Sequence, residues 1–263
     1  MHTNNQVLKP KKSYGQNFLI NESISQRIVD EMSARRHGNN MLEVGPGKGA
    51  LTKYLLENEA LNFKAVEADW DMVHYLQQEY SLDESQLIQK DFLKLPLEKV
   101  FEGEEYNIIG NFPYNISSQI LFRIDKYKDC VPLVIGMFQK EVADRIASGP
   151  GSKVYGVTSV LLQASYHAKV LFTVSPGSFF PAPKVTSAIL MLERKKDYTI
   201  PCDRSLFKTI VKSSFGKRRK MLRNTLKPLI TDEALFNLEI MTKRPEHLSL
   251  EDFIELTNTI DNQ

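Results

Sequence analysis

Cysteine and long apolar runs are scarce in this sequence, and each absence excludes a class of protein. Cys130 and Cys202 are the only cysteines among 263 residues, which argues against a disulfide framework and indicates a reducing compartment. No apolar run is long enough to span a bilayer and no signal peptide is recognisable, so we expect a cytoplasmic protein that does not bind membranes. With 42% hydrophobic and 25% charged residues, the chain has enough apolar material for a sizeable core.

Charge is nearly balanced overall, at a formal net charge of +2, but it is concentrated along the chain. Residues 203–228 contain nine Lys and Arg against one Asp, whereas residues 229–263 contain two Lys and Arg against eight Asp and Glu. A charge run is usually only a solvated face, but a run of one sign with the acids displaced favours contact with phosphates. We expect a basic helical segment with Met221, Leu222 and Leu226 on its buried side. The residues expected to contact phosphates are Lys217, Arg218, Arg219, Lys220 and Arg223.

The spacing of apolar residues predicts an α/β fold. Short apolar strands alternate with segments of helical periodicity, a pattern typical of a mostly parallel sheet with helices on both faces. After Lys196 only helical periodicities remain, so we expect one domain over residues 1–198, with a disordered tail at residues 1–9, and an all-helical domain over residues 199–263. The predicted strands are 41–44, 63–67, 87–89, 106–109, 131–137, 170–174 and 188–192.

A glycine-rich loop joins the first of these strands to a helix. It reads Glu43-Val44-Gly45-Pro46-Gly47-Lys48-Gly49, and glycine lets the backbone turn tightly and approach a ligand closely. Lys48 is not followed by Ser or Thr, so the Walker phosphate-binding pattern fails. A carboxylate at Glu43 is awkward beside a pyrophosphate but suits a cationic methionyl amine. Glu43, Gly45 and Gly47 are therefore candidate ligands of a methyl donor, although dinucleotide sites and plain tight turns use similar loops.

Further candidate cofactor ligands lie after the next two strands and before the first helix. Glu67 ends the second strand about twenty residues past the loop, where an acid accepts hydrogen bonds from the ribose hydroxyls of NAD or S-adenosylmethionine alike. Asp91 ends the third strand and can bind an adenine amino group, although an acid there is more often an N-cap or loop residue. The amphipathic segment Gln16-Asn17-Phe18-Leu19 can fold over a cofactor, and a segment that only docks the first helix is the alternative.

The most informative segment is the turn Gly110-Asn111-Phe112-Pro113-Tyr114-Asn115, which follows the fourth strand. Asn111 supplies a side-chain carbonyl, and the peptide before Pro113 supplies a backbone carbonyl whose direction the ring restricts. Tyr114 supplies a flat face for stacking. Together these groups can hold the exocyclic amine of a planar base with its lone pair directed at an electrophile. A plain loop is the alternative, because Asn, Pro and Tyr all form turns readily.

A second aromatic loop precedes the last strand. It reads Ser178-Phe179-Phe180-Pro181-Ala182-Pro183-Lys184-Val185, and its prolines stiffen the backbone. Phe179 can then face Tyr114 and sandwich a flipped base, since stacking on an aromatic ring contributes about 1–3 kcal/mol per base. A core position is the alternative and the commoner fate of Phe.

These motifs occur together and in this order in one family. Over residues 13 to about 255 the chain resembles the bacterial small-subunit (16S) ribosomal RNA adenine N6,N6-dimethyltransferases. The asparagine turn and the Phe-x-Pro-x-Pro-Lys-Val loop are specific in combination, whereas the glycine loop alone is not. The matching segments are Gln16 to Leu19, Glu43 to Gly49, Asn111 to Ser117, Gln139 to Val142, Phe179 to Val185 and Arg244 to Ser249.

The resemblance implies a Rossmann-like class I S-adenosylmethionine-dependent methyltransferase domain followed by the small helical domain. It implies S-adenosylmethionine as donor, no metal, and a monomer acting on two adjacent adenosines near the 3′ end of 16S rRNA, within the small ribosomal subunit or its precursor. Phe112 departs from the family, which usually has Leu there, and we expect its side chain to point into the core. The implied donor-binding residues are Asn17, Leu19, Gly45, Glu67, Asp91 and Asn111, and the implied base site is Asn111, Pro113, Tyr114 and Phe179.

The expected chemistry is direct transfer of a methyl group to the adenine amine, with no general base beside Asn111. The nearest alternative is the 23S rRNA adenine methyltransferase of macrolide resistance, which would share the fold, donor and asparagine turn. A non-catalytic RNA-binding assembly factor on the same fold is a second alternative, although decay of the glycine loop or the asparagine turn would then be expected. An NAD-dependent oxidoreductase would have no use for the asparagine turn or the basic segment.

Overall fold

The computed structural model describes residues 10–11 and 15–263, which pack into two compact units. The first unit contains the described residues up to Lys140 together with Lys169–Glu193. The second contains Glu141–Ala168 and Arg194–Gln263. The segment 141–168, which the sequence analysis assigned to the first domain, thus packs with the C-terminal residues. The boundary at residues 198/199 stays a prediction, and the predicted tail at residues 1–9 lies outside the described residues.

A seven-stranded sheet carries the first unit, and a separate two-stranded ribbon pairs β1 with β8. The sheet order is β4-β3-β2-β5-β6-β9-β7; the pairs from β4 through β6 are parallel, and β9 runs antiparallel to β6. The predicted mostly parallel sheet is therefore confirmed. In chain order the strands are β1 Phe18–Leu19, β2 Asn40–Val44, β3 Asn62–Glu67, β4 Leu87–Gln89, β5 Asn107–Asn111, β6 Leu133–Gln139, β7 Tyr166–Val174, β8 Phe179–Phe180 and β9 Ser187–Arg194.

Helices connect the strands, and both faces of the central strands are buried. Neighbouring residues that point to opposite faces, such as Met41 and Leu42 or Ile108 and Ile109, are all fully buried, as expected of a sheet covered on both sides. No described helix is both long and apolar enough to cross a membrane. The helices are α1 Glu22–Ser33, α2 Thr52–Leu56, α3 Trp70–Tyr80, α4 Ser117–Lys126, α5 Lys140–Ala147, α6 Val157–Gln163, α7 Arg204–Gly216, α8 Leu222–Thr225 and α9 Leu250–Asp261.

The second unit is built mainly from helices and turns around an aromatic row. Phe215 lies between Tyr155 and Phe253, with both ring-centroid distances at 5.9 Å. Helix α9 begins with a capping box, in which the Ser249 hydroxyl accepts from the Asp252 amide and the Asp252 carboxylate accepts from the Ser249 amide. Ser249, the last residue of the final matching segment, therefore sets the start of this helix.

The predicted basic helical segment, with Lys217 to Lys220 and Arg223, is wrong in one respect, because it is not one continuous helix. Helix α7 ends at Gly216, the chain turns, and the short α8 begins at Leu222. The start of α8 is held by a distant segment, since the amide of its first residue, Leu222, donates to the Lys243 carbonyl at 3.0 Å. Leu222 and Leu226 are fully buried as predicted, but Met221 lies in the turn and is 38% exposed.

Candidate functional site

A cavity of about 460 Å³ opens in the first unit at the carboxyl ends of the parallel strands β2 to β5. Its volume falls within the range of small-molecule sites, about 300–1,000 Å³. The chain order reverses here, because β3 and β4 lie on one side of β2 and β5 lies on the other. Open α/β sheets bind ligands at such a switch point.

The glycine loop between β2 and α2 forms one wall of this cavity. Gly45 and Gly47 have φ angles of +68° and +55°, a region that other residues adopt at a cost. The Gly45 amide donates to the Val66 carbonyl at 2.9 Å, which ties the loop to the end of β3. A side chain at Gly47 would meet the ring of Phe18 at 3.2 Å, so the loop also needs glycine for close packing.

Glu43 lies at the cavity beneath the loop and is 1% exposed. Its Oε2 accepts a hydrogen bond from the Thr52 hydroxyl at 2.7 Å. Burial raises the pKa of the Glu43 carboxyl to about 8, and the nearby Glu67 carboxylate adds to the rise. The Thr52 hydrogen bond opposes this rise, and a cation placed beside the carboxyl would favour its charged form further.

Glu67 also lines the cavity, and its carboxylate organises the backbone around it. Oε2 accepts from the Gly47 amide at 3.1 Å, while Oε1 accepts from the Ala68 and Asp69 amides at 2.8 and 2.9 Å. Burial raises the pKa of Glu67, and these three donors oppose the rise. The carboxylate thus joins β3 to the glycine loop and retains acceptor capacity toward the cavity, since two carboxylate oxygens accept about four hydrogen bonds.

Asp91 caps a short helix and lines the cavity, and its predicted contact with an adenine amino group stays a prediction. Its Oδ1 accepts from the Leu93 amide at 2.9 Å and caps the short helix Phe92–Lys94. The residue also lines the cavity, at the carboxyl end of β4. The cap fixes the carboxylate while its other oxygen is left for a ligand.

The segment before α1 is held over the cavity by Asp69, which caps α3. Asp69 is 1% exposed and accepts from Lys11 Nζ at 2.5 Å and from Gln16 Nε2 at 2.9 Å. These two donors keep the pKa of the Asp69 carboxyl below its usual value against the effect of burial, and the ion pair raises that of Lys11. Asn17 and Leu19 of this segment line the cavity, and its predicted role in covering a cofactor stays a prediction.

The asparagine turn forms the opposite rim, and its key side chain has a fixed orientation. Asn111 Nδ2 donates to the Asn17 carbonyl at 2.9 Å, which uses an N–H of the amide and presents Oδ1 as an acceptor. The Pro113 carbonyl accepts within the turn from the Ile116 amide and the Ser117 hydroxyl, each at 3.3 Å. Asn111, Pro113 and Tyr114 all line the cavity.

The hydroxyl of Tyr114 is held by Ser187, the first residue of β9. Its hydroxyl and the Ser187 hydroxyl lie 2.5 Å apart, and burial raises the pKa of the tyrosine. Tyr114 is half-buried and lines the cavity.

Phe112 anchors this turn in a slot between two glycines. Gly110 on β5 pairs directly with Gly136 on β6, and the Phe112 ring lies where side chains at both positions would project. The ring also packs on Phe138, with centroids 4.9 Å apart, and Phe112 is 1% exposed. The expectation that Phe112 points into the core is therefore confirmed. Its ring fixes the backbone between the two cavity residues Asn111 and Pro113.

Phe179 occupies the core instead of the described cavity wall. In the β1–β8 ribbon Leu19 pairs with Phe179 and Phe18 pairs with Phe180, and successive side chains of a strand point to opposite faces. Phe179 is 3% exposed within the core cluster, whereas Phe180 is 61% exposed. In this structure Phe179 therefore holds β8 against β1 and positions Leu19; its predicted stacking on a base stays a prediction.

The predicted phosphate-binding residues lie in the second unit and fall into two groups. Lys217, Arg219, Lys220 and Arg223 are exposed. Arg218 is engaged within the unit, because its Nε lies 3.6 Å from Glu246 Oε2 and its Nη2 donates to the Ser152 carbonyl at 3.1 Å. Arg218 is thus partly committed to holding the fold of this unit.

Sequence reasoning missed the residues that support the site from behind. Thr52 forms a hydrogen bond with Glu43, Asp69 with Gln16, and Ser187 with Tyr114. No local sequence motif identifies Thr52 or Ser187. Asp69 alone had a usable signal, since it stands before an apolar-periodic segment as an N-cap would. Among the described residues, no group of three or more His, Cys, Asp and Glu residues is arranged to hold a metal ion.

Comparison with known proteins identifies the family. A sequence model described as "Ribosomal RNA adenine dimethylase" matches residues 7–262. Ribosomal RNA small subunit methyltransferase A of Flavobacterium johnsoniae is 48% identical over 254 residues, which cover 97% of each chain. The protein of the same name from Parabacteroides distasonis is 50% identical over 252 residues, covering 95% of this chain and 94% of that one.

Solved structures support the same fold. A dimethyladenosine transferase from Plasmodium falciparum superposes with a TM-score of 0.76 at 21% identity, covering 93% of this chain and 98% of the other. The 23S rRNA methyltransferase ErmE superposes with a TM-score of 0.66 at 21% identity, covering 92% and 100%. At this identity the likeness concerns the fold, and it confirms the predicted Rossmann-like methyltransferase architecture with its helical C-terminal part. The match to the family model and the two curated relatives places the chain in the ribosomal RNA adenine dimethylase family.

Proposed function

We propose that this protein transfers methyl groups to N6 of two adjacent adenosines near the 3′ end of 16S rRNA and forms N6,N6-dimethyladenosine on each. Membership of the family makes it a ribosomal RNA methyltransferase with S-adenosylmethionine as methyl donor. The observation that carries the finer proposal is the fixed amide of the cavity residue Asn111, whose Nδ2 donates to the Asn17 carbonyl and leaves Oδ1 as an acceptor.

The cavity residues fit the donor group by group. When bound, S-adenosylmethionine supplies an electrophilic methyl group on a sulfonium. We assign its methionyl amine to Glu43, because a buried carboxyl with a pKa of about 8 is stabilised in its charged form by an adjacent cation. We assign the ribose hydroxyls to Glu67 and the adenine amino group to Asp91. Gly45, Gly47, Asn17 and Leu19 complete the walls around these groups.

The asparagine turn would hold the amine that receives the methyl group. Two acceptors are required, and Asn111 Oδ1 is the first. The carbonyl of Pro113 is occupied within the turn, which favours the carbonyl of Phe112 as the second. Both acceptors sit on a backbone that the Phe112 ring locks into the sheet, so their geometry is set before the substrate arrives. Such preorganised dipoles and positioning supply most of the expected rate enhancement.

Tyr114 would supply the face on which the extruded adenine stacks. Its ring is held from behind by Ser187, so little conformational freedom is lost when a base binds. Stacking on one aromatic ring contributes about 1–3 kcal/mol, which helps to offset the cost of taking the base out of its stack. No general base is needed beside Asn111, because a methylated amine that carries a positive charge is acidic enough to lose its proton to water.

The substrate would be the small ribosomal subunit or its precursor, bound by a monomer of this protein in the cytoplasm. The cavity offers few groups for reading the edges of neighbouring bases, so recognition of the site depends on contacts outside it. The exposed basic residues of the second unit, Lys217, Arg219, Lys220 and Arg223, would contact phosphates.

The rival that shares most of this machinery is methylation of an adenosine in 23S rRNA. The names of the curated relatives at 48% and 50% identity favour the small subunit, whereas ErmE is similar at 21% identity. A non-catalytic assembly factor is disfavoured because the glycine loop and the asparagine turn both line a formed cavity.

The proposal is tested by transfer of a labelled methyl group to two RNA substrates, undermethylated small subunits and naked large-subunit RNA. We expect transfer to the small subunits by the wild-type protein and none by Asn111→Ala, which should still bind the donor in calorimetry. Transfer only to the large-subunit RNA would establish the rival function. Binding of subunits without any transfer would indicate the assembly factor.

A further inference from the structure

An exposed aromatic ring lies beside the cavity on the β1–β8 ribbon. Phe180 is 61% exposed, although it belongs to a strand whose other residue, Phe179, is buried. The register pairs Phe180 directly with Phe18, and residues paired across an antiparallel ribbon present their side chains on the same face. Phe18 lines the cavity. Phe180 therefore extends the aromatic surface of the cavity outward to solvent.

The same face carries positive charge. Lys48 Nζ lies 5.0 Å from the centre of the Phe18 ring, in the geometry of a cation–π contact, and Lys48 itself lines the cavity. Lys48, Phe18 and Phe180 thus form a row that leads from the glycine loop to the surface, with a cation at one end and an open ring at the other. We call these three residues the rim row.

The rim row has the composition of a single-strand RNA contact. Proteins bind unpaired nucleotides by combining basic groups for the backbone with exposed aromatic rings for the bases. Elsewhere in the ribbon the large apolar side chains are buried, since Phe18, Leu19 and Phe179 are 7%, 6% and 3% exposed. Phe180 adds no comparable burial to the core, so its ring is available to a ligand.

We propose that Phe180 is a stacking platform for the nucleotide next to the adenosine being methylated. This inference rests on the proposed function, in which two adjacent adenosines are substrates. When one base is extruded into the cavity beside Tyr114, its neighbour loses a stacking partner, and the Phe180 ring replaces that partner at the mouth.

The test compares Phe180→Ala, Phe180→Trp and the control Val185→Ala, which removes another exposed apolar side chain from the same loop. Affinity for undermethylated small subunits and the KM for them are measured in parallel with the Kd of the donor. We expect Phe180→Ala to weaken binding of the subunits and raise the KM by about 5- to 150-fold, the range that loss of one base stack gives. Phe180→Trp should restore both, and the donor Kd should not change in any variant.

Equal affinity of wild type, Phe180→Ala and Val185→Ala for the subunits would overturn the inference while leaving the proposed function intact. An equal loss of subunit affinity in Phe180→Ala and Val185→Ala would also overturn it, because removal of any exposed apolar side chain from this loop would then have the same effect. If the wild-type protein binds subunits but transfers no methyl group, the proposed function fails, and the ratio of subunit affinities still decides whether Phe180 stacks on RNA.

Discussion

Substituting Gly136 should disable the site although this glycine lies in β6, outside the cavity. A Cβ at Gly136 would overlap the ring of Phe112, and no space remains because that ring also rests on Gly110 and Phe138. Gly136→Ala must therefore push Phe112 out of its slot. Overpacking of this kind costs about 1–3 kcal/mol of unfolding free energy.

The effect on catalysis should exceed the effect on stability. Phe112 joins Asn111 to Pro113, so a shift of its ring moves the acceptors on both sides of it. Displacement of a positioning group by about 1 Å costs about 100-fold in rate. We expect a single-turnover methyl transfer rate about 100-fold below wild type in Gly136→Ala, with the donor Kd little changed because Glu43 and Glu67 lie on other strands.

A shorter side chain at position 112 should reverse the loss. The double variant Gly136→Ala with Phe112→Leu is expected to recover most of the transfer rate, because Leu reaches less far toward β6. Gly149→Ala is the matched control, since a Cβ there meets nothing within 4 Å and φ is not positive. The claim that the Phe112 ring holds the asparagine turn in place would be refuted by either of two results. One is a wild-type rate and stability in Gly136→Ala, and the other is no recovery of the rate in the double variant.

Other predictions concern the charge and the polar groups of the site. Burial raises the pKa of Glu43 to about 8 from an ordinary 4.5, so its contribution to stability is fully present below pH 4.5 and is lost as pH rises through 8. Glu43→Gln should remove this dependence and gain up to about 5 kcal/mol over wild type above pH 8, measured by urea unfolding at both ends of the range. Asp69→Asn should weaken donor binding, because it removes the carboxylate that accepts from the cavity residue Gln16 and pairs with Lys11; calorimetry at low and high salt measures this. Arg223→Ala should lower affinity for small subunits and reduce its salt slope by about one, while Arg218→Ala should also lower the melting temperature.

Each of these predictions has its own contradicting result. Parallel pH profiles of stability in wild type and Glu43→Gln would show that the carboxyl is not held protonated by burial. A donor Kd that is identical in wild type and Asp69→Asn would show that the segment before α1 does not depend on this clamp. An unchanged salt slope in Arg223→Ala would remove that residue from the RNA surface.

The strands and the glycine and asparagine turns could be predicted because their signals are local. Leu87–Gln89 has the predicted bounds, and the other strands of the sheet differ by a few residues at their ends. Asn111 and the glycine loop were placed at one cavity because parallel strands bring their carboxyl ends together.

The features that could not be predicted depend on pairing between distant segments. The β1–β8 ribbon joins residues 18–19 to residues 179–180, and its register alone decides that Phe179 is buried and Phe180 exposed. The start of α8 is held by the bond from Leu222 to Lys243, and the clamp at Asp69 depends on Lys11 and Gln16 from a separate segment. No window of sequence contains both partners in any of these cases.

The identity and position of the methylated product test the central claim most directly. Undermethylated small subunits would be treated with the wild-type protein and S-adenosylmethionine, and the RNA would then be digested and mapped by mass spectrometry. We predict N6,N6-dimethyladenosine at two adjacent positions near the 3′ end of 16S rRNA, and no product with Asn111→Ala. Monomethyladenosine alone, or dimethyladenosine elsewhere in the RNA, would contradict the account.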